Sequence, residues 1–324
     1  MRNLIPVLIF IAFLFNPIPV VGSEWHQIPT GIKTELTGIH FIDNNYGFVV
    51  TKNGVVVRFD NKGSLWKTSG AKFQFDMEGI YFLPDGKTGF AYGTEGMVLR
   101  TTDSGLTWIS NMVAFGTRFS DMVFLDSLTG LIVGLNYRTR GRTNGVVFKT
   151  TDGGLSWDSL RVDCWTPEAV TVSPEGTVLI TGKKNLLITR DKGINWSKVV
   201  HPSLTTPKAA ALIGKNGLMA GMSGFVAVSS DSGMSWSELN NIPQEISIFD
   251  IVMLDSSTYY MVGTEGEILY TNDGGQNWTP EASGSFYQLS EIMRAGDYLF
   301  SCGREGILIY TNLKEATEPV IPND

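Results

Sequence analysis

Seven short apolar stretches punctuate an otherwise mixed chain: Ile39–Ile42, Ile80–Leu83, Met122–Leu125, Val170–Val172, Ala209–Ile213, Ile251–Leu254 and Ile292–Met293. None has the length of an ordinary helix, and each is bounded by polar turn formers, which predicts buried strands. Downstream of several stands a glycine-flanked tetrapeptide followed by a second apolar run. Gly93-Thr94-Glu95-Gly96 precedes Met97-Val98-Leu99, and counterparts begin at Gly221, Gly263 and Gly303. These predict tight turns between paired strands.

Tryptophan sets the period. Trp66, Trp108, Trp157, Trp196, Trp236 and Trp278 are separated by 42, 49, 39, 40 and 42 residues, the length of one four-stranded sheet in a repeat protein. The last five close a common motif, [ST]-x-D-x-G-x-[STN]-W, whose acidic position is Asp103, Asp152, Asp191, Asp231 or Asp273. The chemistry is that of a stapled hairpin. An aspartate carboxylate accepts hydrogen bonds from backbone N–H groups inside the turn, and glycine supplies the positive φ the turn demands. The indole then packs between neighbouring sheets. These aspartates are therefore read as structural.

Seven inner stretches predict an all-β, seven-bladed β-propeller with Asp-box repeats. The first box is degraded, with Asn61 in place of aspartate, Gly63 in place of the glycine and Trp66 retained. The seventh ends early, with Leu313 where aspartate belongs and no closing tryptophan. Trp25 is the replacement: Glu24–Pro29 is expected to form the outer strand of blade 7, so that both chain ends seal the ring. Such closure removes the open edge of a linear sheet array.

Composition narrows the function classes. The 25 basic and 32 acidic side chains give a net charge of −7, which disfavours nucleic acid as a partner. Two cysteines, Cys164 and Cys302, make no disulfide framework, and three scattered histidines make no zinc motif. No cofactor or metal is expected. Arg2, the apolar run Leu4–Phe15 and the small residues Val20-Val21-Gly22 read as a secretory signal cleaved before Ser23. The expected organisation is thus signal 1–22, propeller 23–313 and tail 314–324, in a secreted or periplasmic monomer. An N-terminally membrane-anchored form is the alternative.

The Gly-Thr-Glu-Gly turn, the apolar strand after it and the tryptophan-closed Asp-box resemble the photosystem II stability/assembly factor family. Gly93–Trp108 and Gly263–Trp278 are the closest stretches, with weaker versions over Trp25–Asn312. The resemblance implies a single-domain seven-bladed propeller. It also implies a non-catalytic chaperone of membrane-protein assembly that works through an arginine-rich face.

The third repeat is the long one, and its extra residues fall in Asn136-Tyr137-Arg138-Thr139-Arg140-Gly141-Arg142-Thr143-Asn144. This is expected to be a loop between second and third strands, on the binding face. Arg118 and Arg161 are assigned to flanking inter-blade loops, Lys183 and Lys184 to the matching loop of blade 4, and Lys208 to the start of blade 5. Phe115, Phe119, Tyr137 and Trp165 are offered as aromatic anchors. A docking surface for an acidic peptide or membrane-protein segment follows, against the plainer reading of a solvated loop. Glu78, Asp121, Glu168, Asp250 and Glu291 are expected at the channel, wet or, less plainly, binding a cation or serving as acid and base. The enzyme alternative is a sialidase-like or xyloglucanase-like glycoside hydrolase, and a carbohydrate-binding propeller is a third option. The chain has no sialidase Arg-Ile-Pro segment, and one propeller cannot form the two-domain xyloglucanase cleft. No catalytic residue is assigned.

Overall fold

The computed structural model describes residues 23–43, 46–60, 65–138, 144–183, 185–201 and 207–314. Seven four-stranded antiparallel sheets follow one another along the chain. Their first strands are Leu36–Phe41, Met77–Phe82, Thr117–Phe124, Val170–Val172, Pro207–Ile213, Ile248–Met253 and Leu289–Ala295. Each contains or overlaps one of the apolar stretches. The second and third strands of blade 2, Gly89–Gly93 and Met97–Thr101, flank a tight turn over Thr94–Gly96. In that turn Glu95 has φ 58° and Gly96 has φ 73°, and Glu265 and Glu305 repeat the left-handed conformation in blades 6 and 7.

The seventh sheet pairs Leu289–Ala295, Tyr298–Gly303 and Leu308–Asn312 with the N-terminal strand His26–Gln27. His26 lies opposite Tyr310 and Gln27 opposite Ile309, and the Ile28 amide donates to the Leu308 carbonyl at 2.8 Å. The expected closure is present, with a shorter paired segment than Glu24–Pro29. Trp25 precedes its strand just as Trp108 precedes Ile109–Met112 in blade 2. Its ring is buried among Tyr260, Val262 and Ile268 of blade 6 and Leu299, Ile307 and Ile309 of blade 7.

The core is accordingly a ring of seven inter-blade clusters, each filled from two adjacent sheets. The cluster between blades 7 and 1 joins Phe300 and Leu308 to Phe41, Val49 and Phe59, with Phe41 and Phe300 stacked at 3.7 Å. Trp236 fills the cluster between blades 4 and 5 beside Leu186, Ile188 and Leu212. The side chain of Trp66 lies outside the described residues. Cys164 and Cys302 are both free and buried.

The Asp-boxes link third to fourth strands. In blade 5, Asp231 Oδ1 accepts from the Ser229 hydroxyl at 2.8 Å and from the Ser235 amide at 2.8 Å, while Oδ2 accepts from the Ser235 hydroxyl at 2.6 Å. Ser229 Oγ in turn accepts from the Gly233 amide at 2.9 Å. The same pattern recurs at Asp103, Asp152, Asp191 and Asp273. These bonds favour the ionised form, so all five carboxyls are held down at about 2. Glycine is obligatory for a second reason in blade 2: a Cβ at Gly105 would stand 2.5 Å from the Phe48 ring of blade 1.

Candidate functional site: the face of the inter-blade loops

Antiparallel order puts the first-to-second and third-to-fourth connections at one end of every blade. The second-to-third and inter-blade connections share the other. Hydrogen bonds knit this second set together. The Tyr137 amide donates to the Gly116 carbonyl at 3.0 Å, the Lys183 amide to the Trp165 carbonyl at 2.7 Å and the Arg304 amide to the Gln288 carbonyl at 3.0 Å. The loop face is therefore one continuous surface, opposite the Asp-boxes.

On it, three aromatic side chains around blade 3 are about half exposed: Phe115 at 53%, Tyr137 at 54% and Trp165 at 51%. Arg138 lays its guanidinium 3.8 Å from the centroid of the Phe115 ring. A cation held over an aromatic face keeps its charge while its rotamers are restricted, which prepares it for an anionic group. Arg161 and Lys183 are exposed on the same side, in the connection after blade 3 and the turn of blade 4. Arg140, Arg142 and Lys184 lie outside the described residues.

Three of the sequence assignments change. Arg118 is the second residue of the inner strand of blade 3 and not a loop residue. Its Nε and Nη2 donate to Glu78 Oε1 and Oε2 at 2.7 and 2.6 Å, so its charge is already met in a bidentate pair. Lys208 pairs with Glu168 at 3.2 Å and leaves the basic surface for the same reason. Phe119 is fully buried against Phe148, because the inner-strand register turns it into the sheet interface. Two exposed aromatics escaped the sequence reading: Phe286 at 92% and Tyr287, in the connection between blades 6 and 7. The segment Ser283-Gly284-Ser285-Phe286-Tyr287 carries the signal, large rings inside a polar, glycine-containing turn.

At the centre of this face lies a cavity of about 250 Å³ lined by the starts of the inner strands. Its carboxylates are employed in the architecture. Asp121 accepts from the Val170 amide of blade 4 at 2.8 Å, Asp250 from Ile292 of blade 7 at 2.9 Å, and Glu291 from Ile39 of blade 1 at 2.9 Å. Each staples its own blade to the next. The strands bulge just before these residues, between Phe119 and Asp121, Ile248 and Asp250, and Leu289 and Glu291, which turns the acids toward the neighbouring blade. Burial disfavours the charged form, raising Asp121 to about 6 and Asp250 to about 7, with Glu291 driven well up by burial and by Asp250. Among the described residues no group of three or more His, Cys, Asp and Glu is arranged to hold a metal ion.

Stapled hairpins, seven sheets and a strand-closed ring define an Asp-box β-propeller with an aromatic and cationic loop face. Within that class, residues 19–115, which span the closing strand and the first two blades, match the family model of the Photosynthesis system II assembly factor YCF48. No curated protein matches the sequence significantly. Among solved structures, YCF48 from Cyanidioschyzon merolae is similar at TM-score 0.71 and 17% identity, covering 90% of this chain and 99% of that one. A structure titled YCF48 bound to D1 peptide is similar at TM-score 0.72 and 18% identity, covering 89% and 96%. U3-55K is similar at TM-score 0.70 and 11% identity, covering 90% and 100%. At these identities the solved structures speak to the fold.

Proposed function

We propose that this chain is a non-catalytic propeller that binds an extended, acidic segment of a protein partner on its loop face, as an assembly factor of the YCF48 kind. The observation that carries the reading is that Phe115, Tyr137, Arg138 and Trp165 are all exposed on the loop face, with Arg138 over the Phe115 ring, on a protein that is acidic overall. Half-exposed aromatic rings flanked by a preorganised arginine are the residue types that dominate binding energy in protein interfaces. The family match over residues 19–115 and a similar propeller whose title records a bound peptide support the same class of partner. A membrane-protein segment is the specific partner we favour, met outside the cytoplasm after export through the N-terminal signal. The stapling role of Asp121, Asp250 and Glu291 supports assigning no catalysis to the central cavity.

A synthetic peptide of alternating acidic and apolar residues, labelled for fluorescence anisotropy, tests the reading. Trp165→Ala and Arg138→Ala are each expected to weaken binding about tenfold or more, the arginine effect fading as salt is raised. Leu155→Ala, in the Asp-box turn at the far end of the same blade, is expected to leave binding unchanged. Equal affinity for all four proteins contradicts the proposal.

A further inference from the structure

We propose that Glu281 is the receptor for an α-ammonium group at Ser23. Removal of residues 1–22 by a signal-type endopeptidase would then install a buried ion pair that locks the closing strand onto the ring. Glu281 ends the outer strand of blade 6 and is buried beside the start of the closing segment. Its two oxygens divide between two donors of that segment: the Ser23 nitrogen at 3.1 Å to Oε1, and Trp25 Nε1 at 2.8 Å to Oε2. Ser23 is itself buried, and its hydroxyl lies 3.1 Å from the Tyr260 hydroxyl.

Two features single out this carboxylate. Among the described residues no cation faces it; its polar neighbours are Ser23, Trp25, Tyr260 and Tyr270. The acids of the central cavity, by contrast, either meet a lysine or arginine, as Glu78 and Glu168 do, or bond amides at the inner strands, as Asp121, Asp250 and Glu291 do. A buried carboxylate without a counter-charge is costly, and two neutral N–H donors, one amide and one indole, offset only part of that cost. The second feature is position. The donor is the nitrogen that the small residues Val20-Val21-Gly22 mark as the new terminus. Hydrolysis adds water across the Gly22–Ser23 bond: the C–N bond breaks, Gly22 leaves as a carboxylate and the Ser23 nitrogen takes up a proton. One amide hydrogen becomes three ammonium hydrogens and a full positive charge, at a site already within hydrogen-bonding distance of Glu281. Closure of the ring is thereby coupled to processing.

The inference rests on the export reading above, and one experiment separates the two. The full chain is expressed in a secreting host, and the exported protein is analysed by intact mass and then by acetylation of its α-amine at neutral pH. The expected product begins at Ser23. Its amine in the folded protein should react at least about tenfold more slowly than in the urea-unfolded chain, because each unit by which a carboxylate raises an amine pKa removes nine-tenths of the reactive free base. Glu281→Gln should restore the reactivity. A chain retained in the cells with residues 1–22 still attached overturns both readings; an exported chain beginning elsewhere, or a Ser23 terminus as reactive folded as unfolded, overturns this one alone. Should Glu281→Gln fail to fold, a carbon-13 methyl label on the α-amine of the unaltered protein decides. Its titration is expected above that of the unfolded chain, and a titration at or below it overturns the proposal.

Discussion

Two sets of carboxylates in this protein are pushed in opposite directions, those of the Asp-box hairpins toward the charged form and those beside the inner-strand bulges toward neutrality. The Asp-box aspartates bond serine or threonine hydroxyls and turn amides near the surface and sit at about 2. Their folded value lies below the ordinary 3.8, so their contribution is present above that value and fades as pH falls through about 2. Asp250 is the reverse case. Its value is raised from 3.8 to about 7, so the folded state holds a proton that the unfolded chain has released, and its contribution to stability falls as pH rises through that window. His40, buried and lowered to about 4, pulls the other way over part of the same range. The informative quantity is therefore a difference. Urea unfolding of the wild type and Asp250→Asn at pH 5 and pH 7 should show the wild type losing at least about 1 kcal/mol relative to the variant on going to the higher pH. The Asp-box half of this chemistry was legible in sequence, because all its partners lie within four residues. The stapling half was not. Asp121, Asp250 and Glu291 reach amides 49, 42 and 252 residues away, and no local pattern reports a partner on the next blade.

At the scale of the element, a blade is held by the contact of its hairpin with the sheet before it. Trp236 is buried between blades 4 and 5 and donates its indole N–H to the Gly233 carbonyl of its own turn at 3.0 Å. Trp236→Ala should cost about 3–5 kcal/mol, measured by chemical denaturation. Glycines of positive φ separate into two kinds. Gly105 has φ 73° and presses on Phe48, whereas Gly284 has φ 71° and open space around it. Both alanine variants carry the backbone penalty of roughly 1 kcal/mol, and Gly105→Ala should be the more destabilising because the ring of Phe48 must also move. Sequence showed the strands, boxes and turns because each has a short-range signature. It misassigned Arg118 and Phe119, since a bulge in the inner strand decides which of successive side chains faces the channel, the loop or the sheet interface.

For the molecule as a whole, closure makes one end of the ring a continuous loop surface and the other a rim of Asp-boxes. The count of seven blades could be read from the seven apolar inner stretches, and the closing role of Trp25 from the truncated last repeat. The chemistry of the loop face was read only in part. Arg138 lies in the loop of the long third repeat and Trp165 is an exposed ring in the connection after that blade, while Glu78 and Glu168 withdraw Arg118 and Lys208 from the surface. The central claim, that this face receives the partner, is tested most directly by photo-crosslinking. A photoreactive phenylalanine analogue is placed at Trp165 or, as the opposite-face control, at Leu155, and each protein is irradiated with the acidic peptide. The account predicts an adduct from position 165 and none from position 155. Adducts from position 155 alone, or equally from both, would contradict it.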